Sequence, residues 1–158
     1  MAKHILSVLV QNHPGVLSKV SGLFSRRGFN IESLAVGTAE TPDFSRMTII
    51  VNGDEYTVDQ VSKQLNKLID VIKVELLQQN EAVQRELVLL KVKVSSQSRS
   101  EIIQTAEIFR AKIVDVSQST LTLEITGQAD KVGAFIKILE PFGITEIVRT
   151  GIIAVRRG

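Results

Sequence analysis

The chain contains no cysteine and only two histidines. The lack of cysteine excludes disulfide bonds, zinc sites built from thiolates, and iron–sulfur clusters. His4 and His13 have no acidic cluster beside them at the spacing of metal ligands, so we expect no metal site. The chain also lacks a paired acid and base and a phosphate-binding glycine-rich loop. We therefore expect no catalytic residue and no bound cofactor in this chain.

Long apolar runs and an excess of one charge are also absent. No apolar run reaches the roughly 18 residues of a membrane span. The N-terminal residues lack the features of a secretory signal, so we expect a cytoplasmic protein without a membrane partner. The net charge of +2, from 19 basic and 17 acidic residues, is too balanced to indicate nucleic-acid binding. The expected third strand, residues 45–52, has no aromatic side chain to stack on a base, which argues against an RNA-binding module.

The hydrophobic pattern divides the chain into two halves with the same order of elements. Apolar runs predict strands, and apolar residues at helical spacing predict helices. We expect strands at 4–11, 30–36, 45–52, 72–77, 86–94, 112–116, 120–126, 144–149 and 152–155. With two helices in each half, the order β-α-β-β-α-β indicates an α+β protein of two ferredoxin-like domains. The expected boundaries are an N-terminal domain over 1–79, a polar linker over 80–85 and a C-terminal domain over 86–158.

Local signals predict where the helices begin. Pro14 suits a first helical position, because its φ is fixed and it has no N–H group to leave unpaired. Thr57 with Gln60, and Ser98 with Glu101, have the three-residue spacing of a capping box. We expect the first three helices of the chain to start at Pro14, Thr57 and Ser98.

Residues 12–17, Asn-His-Pro-Gly-Val-Leu, lie between the first predicted strand and the first predicted helix. Gly15 has no Cβ, so atoms of another molecule can approach the backbone there. The first turn of a helix has unpaired N–H groups and a partial positive charge, which favour a carboxylate. The sequence therefore predicts a site for a small anion, with no catalytic group beside it.

The usual ferredoxin-like strand order, 4-1-3-2, leaves the second strand at an edge of the sheet, where an unpaired strand favours pairing with another. If two copies pair antiparallel through this strand, residues 12–17 of one copy face Asn30 and Ile31 of the other. Asparagine side chains offer donors and an acceptor for the charged groups of a free amino acid. Leu17, Ile31 and Val36 are apolar neighbours for a short aliphatic side chain. We predict a site shared by two chains.

Several stretches carry a resemblance to a known family. Residues 12–17 resemble the Asn-x-Pro-Gly-Val-Leu signature of ACT domains, the small-molecule regulatory modules of amino-acid metabolism. Residues 23–34, Leu-Phe-Ser-Arg-Arg-Gly-Phe-Asn-Ile-Glu-Ser-Leu, and 44–48, Phe-Ser-Arg-Met-Thr, resemble the regulatory small subunit of acetohydroxyacid synthase, also called acetolactate synthase. Residues 107–116 and 149–151 resemble the second domain of that subunit, so the likeness spans nearly the whole chain.

The resemblance implies a regulatory function without catalysis by this chain alone. In that family a separate catalytic large subunit holds thiamine diphosphate, magnesium and FAD. It is a transferase that condenses two pyruvates, or pyruvate with 2-ketobutyrate, on the route to valine, leucine and isoleucine. The small subunit raises the activity of the large one and confers feedback inhibition, usually by valine bound at the interface of two ACT domains.

The family's effector contacts can be carried over to matching positions of this chain. They are Asn12, Gly15, Val16, Leu17, Asn30 and Ile31. The implied partners are the large subunit, a second copy in a homodimer, and valine. His13 stands at a variable position of the signature, and we assign it no role beyond a helix cap. The alternative is a stand-alone ACT-type amino-acid sensor that regulates a different enzyme, which co-purification with a thiamine-dependent large subunit would distinguish.

Overall fold

The computed structural model describes residues 2–158, which form two compact units. The first unit extends to Val83 and also includes Ile152–Gly158, and the second unit is Gln84–Gly151. The C-terminal residues 152–158 therefore group with the first unit. Ile153–Arg156 nevertheless form the expected final strand, which pairs with the strand that begins at Ala82. The expected linker also differs, because Gln79–Glu81 form one turn of 3-10 helix and a strand begins at Ala82.

Each unit is an antiparallel sheet with two helices. The first contains β1 (Ala2–Gln11), α1 (Val16–Arg26), β2 (Ile31–Thr38), β3 (Phe44–Gly53), α2 (Glu55–Asn66) and β4 (Val71–Leu77). The rest of the chain contains β5 (Ala82–Lys93), α3 (Arg99–Ile108), β6 (Lys112–Val116), β7 (Thr120–Gly127), α4 (Ala129–Leu139), β8 (Ile144–Arg149) and β9 (Ile153–Arg156). The strand orders are β2-β3-β1-β4 and β6-β7-β5-β8, which confirms the predicted pair of ferredoxin-like folds and the edge position of β2.

The core of the first unit lies between one face of its sheet and its two helices. Alternate residues of each strand point to this face, as the period of two requires. The ring of Phe24 meets that of Phe29 edge-on, with centroids 6.4 Å apart. The other buried members are Leu6, Val8, Val10, Val16, Val20, Leu23, Met47, Ile49, Val51, Val58, Val61 and Leu65. The second unit repeats the pattern, with Phe135 of α4 packed 5.2 Å from Phe109 between ring centroids.

The opposite face of the first sheet is covered in part by residues 152–157, which we call the C-terminal strap. Its apolar residues Ile152 and Ala154 pack against a second cluster, formed by Ile5, Ile50, Leu77 and Ala82. The N–H of Ile152 donates to Oγ of Ser33 on β2 at 2.9 Å, and the N–H of Arg157 donates to the main-chain oxygen of Glu81 at 2.7 Å. These contacts explain why the strap belongs to the first unit.

Charged groups also attach the strap to β4. Arg156 lies 3.4 Å from the carboxylate of Glu75 and 3.2 Å from that of Glu81. Lys73 donates to Glu75 as well, and this bond is the main reason why the pKa of Glu75 lies below its usual range. The pairs are partly exposed, so we expect each to stabilise the strap only modestly.

Two helix starts differ from the local signals. Helix α1 begins at Val16 and not at Pro14, because Pro14 and Gly15 form a turn before it. Helix α2 is capped by Asp54, whose carboxylate accepts from the N–H and the hydroxyl of Thr57, each at 2.7 Å. These bonds hold the pKa of Asp54 below its usual range. The predicted Thr57 cap was therefore wrong, because Thr57 donates to a cap three residues earlier.

Helix α3 begins at Arg99 with Ser98 as its N-cap, as predicted, but the hydroxyl of Ser98 makes no capping bond to the helix. The N–H of Ser98 donates to Oγ of Ser95 at 3.1 Å, and the N–H of Ser95 donates to Oγ of Ser98 at 2.9 Å. The N–H of Arg99 already donates to the main-chain oxygen of Ser95 at 3.0 Å, which is a helical bond. The reciprocal pair therefore forms three residues earlier than predicted, between Ser95 and Ser98.

Candidate functional site

The junction between β1 and α1 is a tight turn over His13–Val16. Gly15 has φ 87° and ψ −11°, which are the angles of the third residue of a type II turn. Pro14 precedes it at the position where proline is favoured, and the N–H of Val16 faces the oxygen of His13 at 3.5 Å. A Cβ at Gly15 would have no atom within 4 Å. Glycine is required here by the backbone angle, and the space beside it is open to another molecule.

Helix α1 leaves donors free at this turn. Gly15 is its N-cap and has no side chain to accept a hydrogen bond, while the N–H of Lys19 donates to the oxygen of Gly15 at 3.1 Å. Within residues 2–158 the N–H groups of Leu17 and Ser18 have no acceptor. The first turn also contains no acidic residue. The junction therefore presents unpaired donors and a partial positive charge to a small anion.

Asn12 lies exposed at the end of β1, against the loop between β2 and β3. Its N–H donates to the oxygen of Asp43 at 2.8 Å, and its Nδ2 donates to the oxygen of Pro42 at 2.9 Å. Its Oδ1 accepts nothing from the described residues and remains available to a donor such as an ammonium group. Glu40 in the same loop pairs with Arg46 of β3, and their 2.6 Å hydrogen bond holds the pKa of Glu40 below its usual range.

Val16 and Leu17 face different surroundings. The side chain of Val16 is buried in the core of the first unit, so only its main chain is open to the turn. The side chain of Leu17 is 45% exposed and is the apolar group nearest in sequence to the free donors. A ligand at this turn could therefore contact the main chain of Val16 and the side chain of Leu17.

The other predicted contacts, Asn30 and Ile31, lie at the far end of the sheet in the same chain. Ile31 pairs with Val51 of β3, whereas Gln11 pairs with Phe44 at the opposite end of that strand. The separation along β3 is about 20 Å, given roughly 3.3 Å per residue. Asn30 is exposed beside a shallow hollow, and Ile31 is half buried against the core. One chain therefore does not bring the six predicted residues together.

A second copy would bring the two groups together across β2. No strand within residues 2–158 pairs with the outer side of β2, so its backbone groups are open on that side. In an antiparallel pair of β2 strands, the start of one strand lies beside the end of the other. Asn30 and Ile31 of the second copy would then lie at the end of the sheet where Asn12 and Gly15 are found. Bringing the six predicted residues together would therefore take a pair of chains.

Comparison with known proteins gives the family. The model described as the AHAS small subunit-like ACT domain matches residues 6–73, and the one described as the small subunit of acetolactate synthase matches residues 85–158. The chain is 56% identical over 156 residues to the probable acetolactate synthase small subunit of Methanothermobacter thermautotrophicus, which covers 98% of this chain and 93% of that protein. The chain belongs to the acetolactate synthase small-subunit family.

Two further similarities extend over nearly the whole chain. The acetolactate synthase small subunit of Mycolicibacterium smegmatis is 52% identical over 155 residues, which cover 98% of this chain and 91% of that protein. The crystal structure of the acetolactate synthase small subunit from Thermotoga maritima superposes with a TM-score of 0.94 at 47% identity, covering 100% of this chain and 99% of that one.

Family membership confirms several expectations from the sequence. The first unit contains an ACT domain, and the chain is a regulatory small subunit, which implies a catalytic large subunit as its partner. The matched relatives are small subunits of acetolactate synthase, which does not favour the alternative of a sensor for a different enzyme.

None of the helices described within residues 2–158 has the length and apolar character to span a bilayer. The same residues contain no group of three or more side chains suited to a metal ion.

Sequence reasoning missed Asp70 as a neighbour of the turn. This residue follows α2 and is buried, and its carboxylate contacts His13 and Lys19. His13 therefore has a definite partner, although we expected only a helix cap from it. The sequence offered no signal, because an aspartate in a turn between a helix and a strand is usually exposed.

Proposed function

We propose that this chain raises the activity of the acetolactate synthase large subunit, and that valine bound between two ACT domains inhibits that enzyme. On this proposal the large subunit holds thiamine diphosphate, magnesium and FAD and carries out the transferase reaction. The small subunit forms a homodimer through β2. Support comes from the family membership and from the distribution of the six predicted contacts over the two ends of an unpaired edge strand.

Each part of the amino acid has a partner in the proposed site. The carboxylate accepts from the free N–H groups at the start of α1, where the helix dipole also favours it. The ammonium donates to Oδ1 of Asn12 and to the amide of Asn30 from the second copy. The branched side chain lies near Leu17 and near Ile31 of the second copy. The single observation that carries this assignment is the open turn at Gly15, at the end of the sheet where the unpaired edge strand β2 also ends.

Inhibition requires that valine binds one arrangement of the subunits more tightly than another. The ligand contacts two chains, so it favours the arrangement in which both halves of the site are correctly spaced. The coupling to the large subunit is expected to be about 1–3 kcal/mol, as is usual between distinct sites. The activating and inhibiting effects are separable in this scheme, since only inhibition depends on the shared site.

The direct test is an assay with the purified large subunit. We expect this chain to raise acetolactate formation, valine to lower it again, and the chain alone to make no acetolactate. Alanine is the control amino acid, because it keeps both charged groups and lacks the branched side chain. Calorimetric titration of the small subunit with valine, leucine and isoleucine would rank the effectors. If none of the three produced heat at millimolar concentration, the effector proposal would fail.

A further inference from the structure

Asp70 is a buried carboxylate that the proposed effector contacts leave unexplained. It lies in the turn between α2 and β4, and 5% of its surface is exposed. Its main-chain oxygen accepts from the N–H of Gln11 at 2.8 Å, just beyond the register shift that separates Leu9 from Val10. The backbone therefore fixes Asp70 beside the end of β1, where the effector loop, residues 12–17, begins.

The carboxylate contacts residues on both sides of the turn. Oδ1 lies 3.2 Å from Nε2 of His13, and Oδ2 lies 2.9 Å from Nζ of Lys19. Nε2 of His13 also lies 2.8 Å from Oε1 of Gln11, so the imidazole is held from β1 as well. His13 precedes Gly15 and Lys19 follows it, so one carboxylate holds both ends of the segment that contains the turn.

The bonds of Asn12 and the buried side chain of Val16 hold the two ends of the turn, but Gly15 between them makes no side-chain contact. Gly15 has no side chain, and its positive φ is one of several conformations that glycine adopts readily. The main chain of the turn is bonded to the same two residues, since the N–H of Val16 faces the oxygen of His13 and the N–H of Lys19 donates to Gly15. Leaving a buried carboxylate unpaired costs free energy, so we expect Asp70 to keep its contacts with His13 and Lys19. Fixing His13 and Lys19 therefore fixes the turn.

We propose that Asp70 is a positioning residue for the effector loop. Through His13 and Lys19 it holds the turn at Gly15 in the conformation that accepts the effector carboxylate, and it does not touch the effector itself. The identity of the effector as a branched-chain amino acid rests on the proposed function, whereas the positioning of the loop by Asp70 rests on the contacts of this chain alone.

The first test replaces Asp70 by asparagine, which keeps the shape and removes the charge. The Asp70→Asn chain should bind valine with a dissociation constant raised roughly tenfold, within the range that changes outside a binding site produce. Its activation of the large subunit should be unchanged. The control is Asp59→Asn, which removes an exposed pair with Lys63 at 3.0 Å and should alter neither quantity. Unchanged valine binding in Asp70→Asn would overturn the proposal.

A cycle of variants separates positioning from a general effect on folding. In a chain that already contains His13→Gln and Lys19→Met, adding Asp70→Asn should raise the dissociation constant no further, because the contacts through which it acts are gone. A full additional rise would overturn the proposed route. Loss of activation together with affinity in Asp70→Asn alone would also contradict it, since that pattern indicates damage to the whole unit.

Hydrogen exchange tests the positioning without any effector. The amides of His13 and of residues 15–20 should exchange faster in Asp70→Asn, while those of β5 and β7 in the second unit stay unchanged. Unchanged exchange in residues 13–20 would overturn the proposal, whichever effector the chain binds. If the wild-type chain bound none of the three amino acids, the proposed function and the predicted change in affinity would fail. The exchange result would still decide whether Asp70 positions the loop.

Discussion

The two units have the same strand order but differ at the junction between their first strand and first helix. In the first unit Gly15 caps α1 without a side chain, and the free N–H groups face solvent. In the second unit Ser95 and Ser98 accept each other's N–H groups in the turn before α3, and the first turn of α3 contains the acidic Glu101, whereas that of α1 contains no acidic residue. The same fold therefore contains one junction that is open to an anion and one that is closed to it by a serine-linked turn and an acidic first helical turn. The fold supplies the position, and a few residues decide its chemistry.

The edge strands and outer faces differ as well. Strand β2 has eight residues, and Ile31 and Leu34 on it pack against the core. Strand β6 has five residues, all of them exposed. The C-terminal strap covers part of the outer face of the first sheet, where Ile152 and Ala154 are partly buried. The first unit thus combines an open helix start and a long edge, the two features that the proposed site requires.

The largest expected effect comes from a carboxylate at the open junction. Gly15→Asp places a negative charge where the effector carboxylate is proposed to lie, and it strains a backbone with φ 87°. We expect the dissociation constant for valine to rise at least about a hundredfold, because like charges in contact cost several kcal/mol. Activation of the large subunit should persist. Calorimetry and the reconstituted assay measure the two effects.

The matching change in the second unit is Gln97→Asp, in the turn before α3. It adds the same charge beside a helix start whose serine pair is already formed. Valine binding and inhibition should remain at the wild-type level. If Gln97→Asp weakened valine binding as much as Gly15→Asp does, the distinction between an open and a closed junction would be lost.

The next effect concerns the edge strands. Val36→Lys places a charge on β2, and we expect it to raise the dissociation constant of the homodimer at least about tenfold, because a charged edge opposes strand pairing. Val116→Lys is the control on β6, since Val116 is also exposed. Sedimentation without effector would measure both. Equal weakening by the two variants, or weakening only by Val116→Lys, would place the dimer interface elsewhere.

Removing apolar contact from the strap should have a smaller effect. Ile152→Ala should lower the free energy of unfolding by about 1–2 kcal/mol, less than for a fully buried isoleucine. Ile153 is 59% exposed, so Ile153→Ala should change the free energy of unfolding by about 0.5 kcal/mol at most. Urea unfolding compares the two. Equal losses of unfolding free energy in the two variants would show that the strap does not stabilise the first sheet through Ile152.

The smallest expected effect tests the closed junction. Ser95→Ala removes the hydroxyl that accepts from the N–H of Ser98, and it should lower the free energy of unfolding by about 1 kcal/mol. Valine binding should not change, because this junction has no ligand in our account. Thermal unfolding and calorimetry provide the measurements. A change in valine affinity would show that the second junction also contributes to the effector site.

Much of the architecture was predictable because it follows from periodicity. The apolar runs of β1 and β3 predict strands, and the apolar residues of α1 recur with the period of a helix. The resulting order of elements is that of a ferredoxin-like fold, so the sheet order and the edge position of β2 could be expected. The start of α1 was not, because proline suits both a helix start and the second position of a turn. The positive φ of Gly15 decides between them, and only the structure shows it.

Long-range polar contacts escaped prediction for a different reason. Asp70 is far from His13 in sequence, and the burial of a carboxylate depends on which charges the fold brings beside it. The strap escaped for a similar reason, since an apolar segment such as 152–155 indicates a strand but not the face of the sheet that it covers. The residues of the candidate site itself were identified from a motif, but the need for a second chain is a matter of topology.

The central claim is that Asn12 and Gly15 of one chain form a site with Asn30 and Ile31 of another. It is tested most directly with a purified heterodimer that contains one Gly15→Asp chain and one Asn30→Ala chain, selected by two affinity tags. Neither homodimer should bind valine, whereas the heterodimer retains one intact combination. We predict about half the wild-type number of sites, because a twofold interface gives two sites and only one is damaged. Absence of any binding by the heterodimer would contradict a site shared between chains.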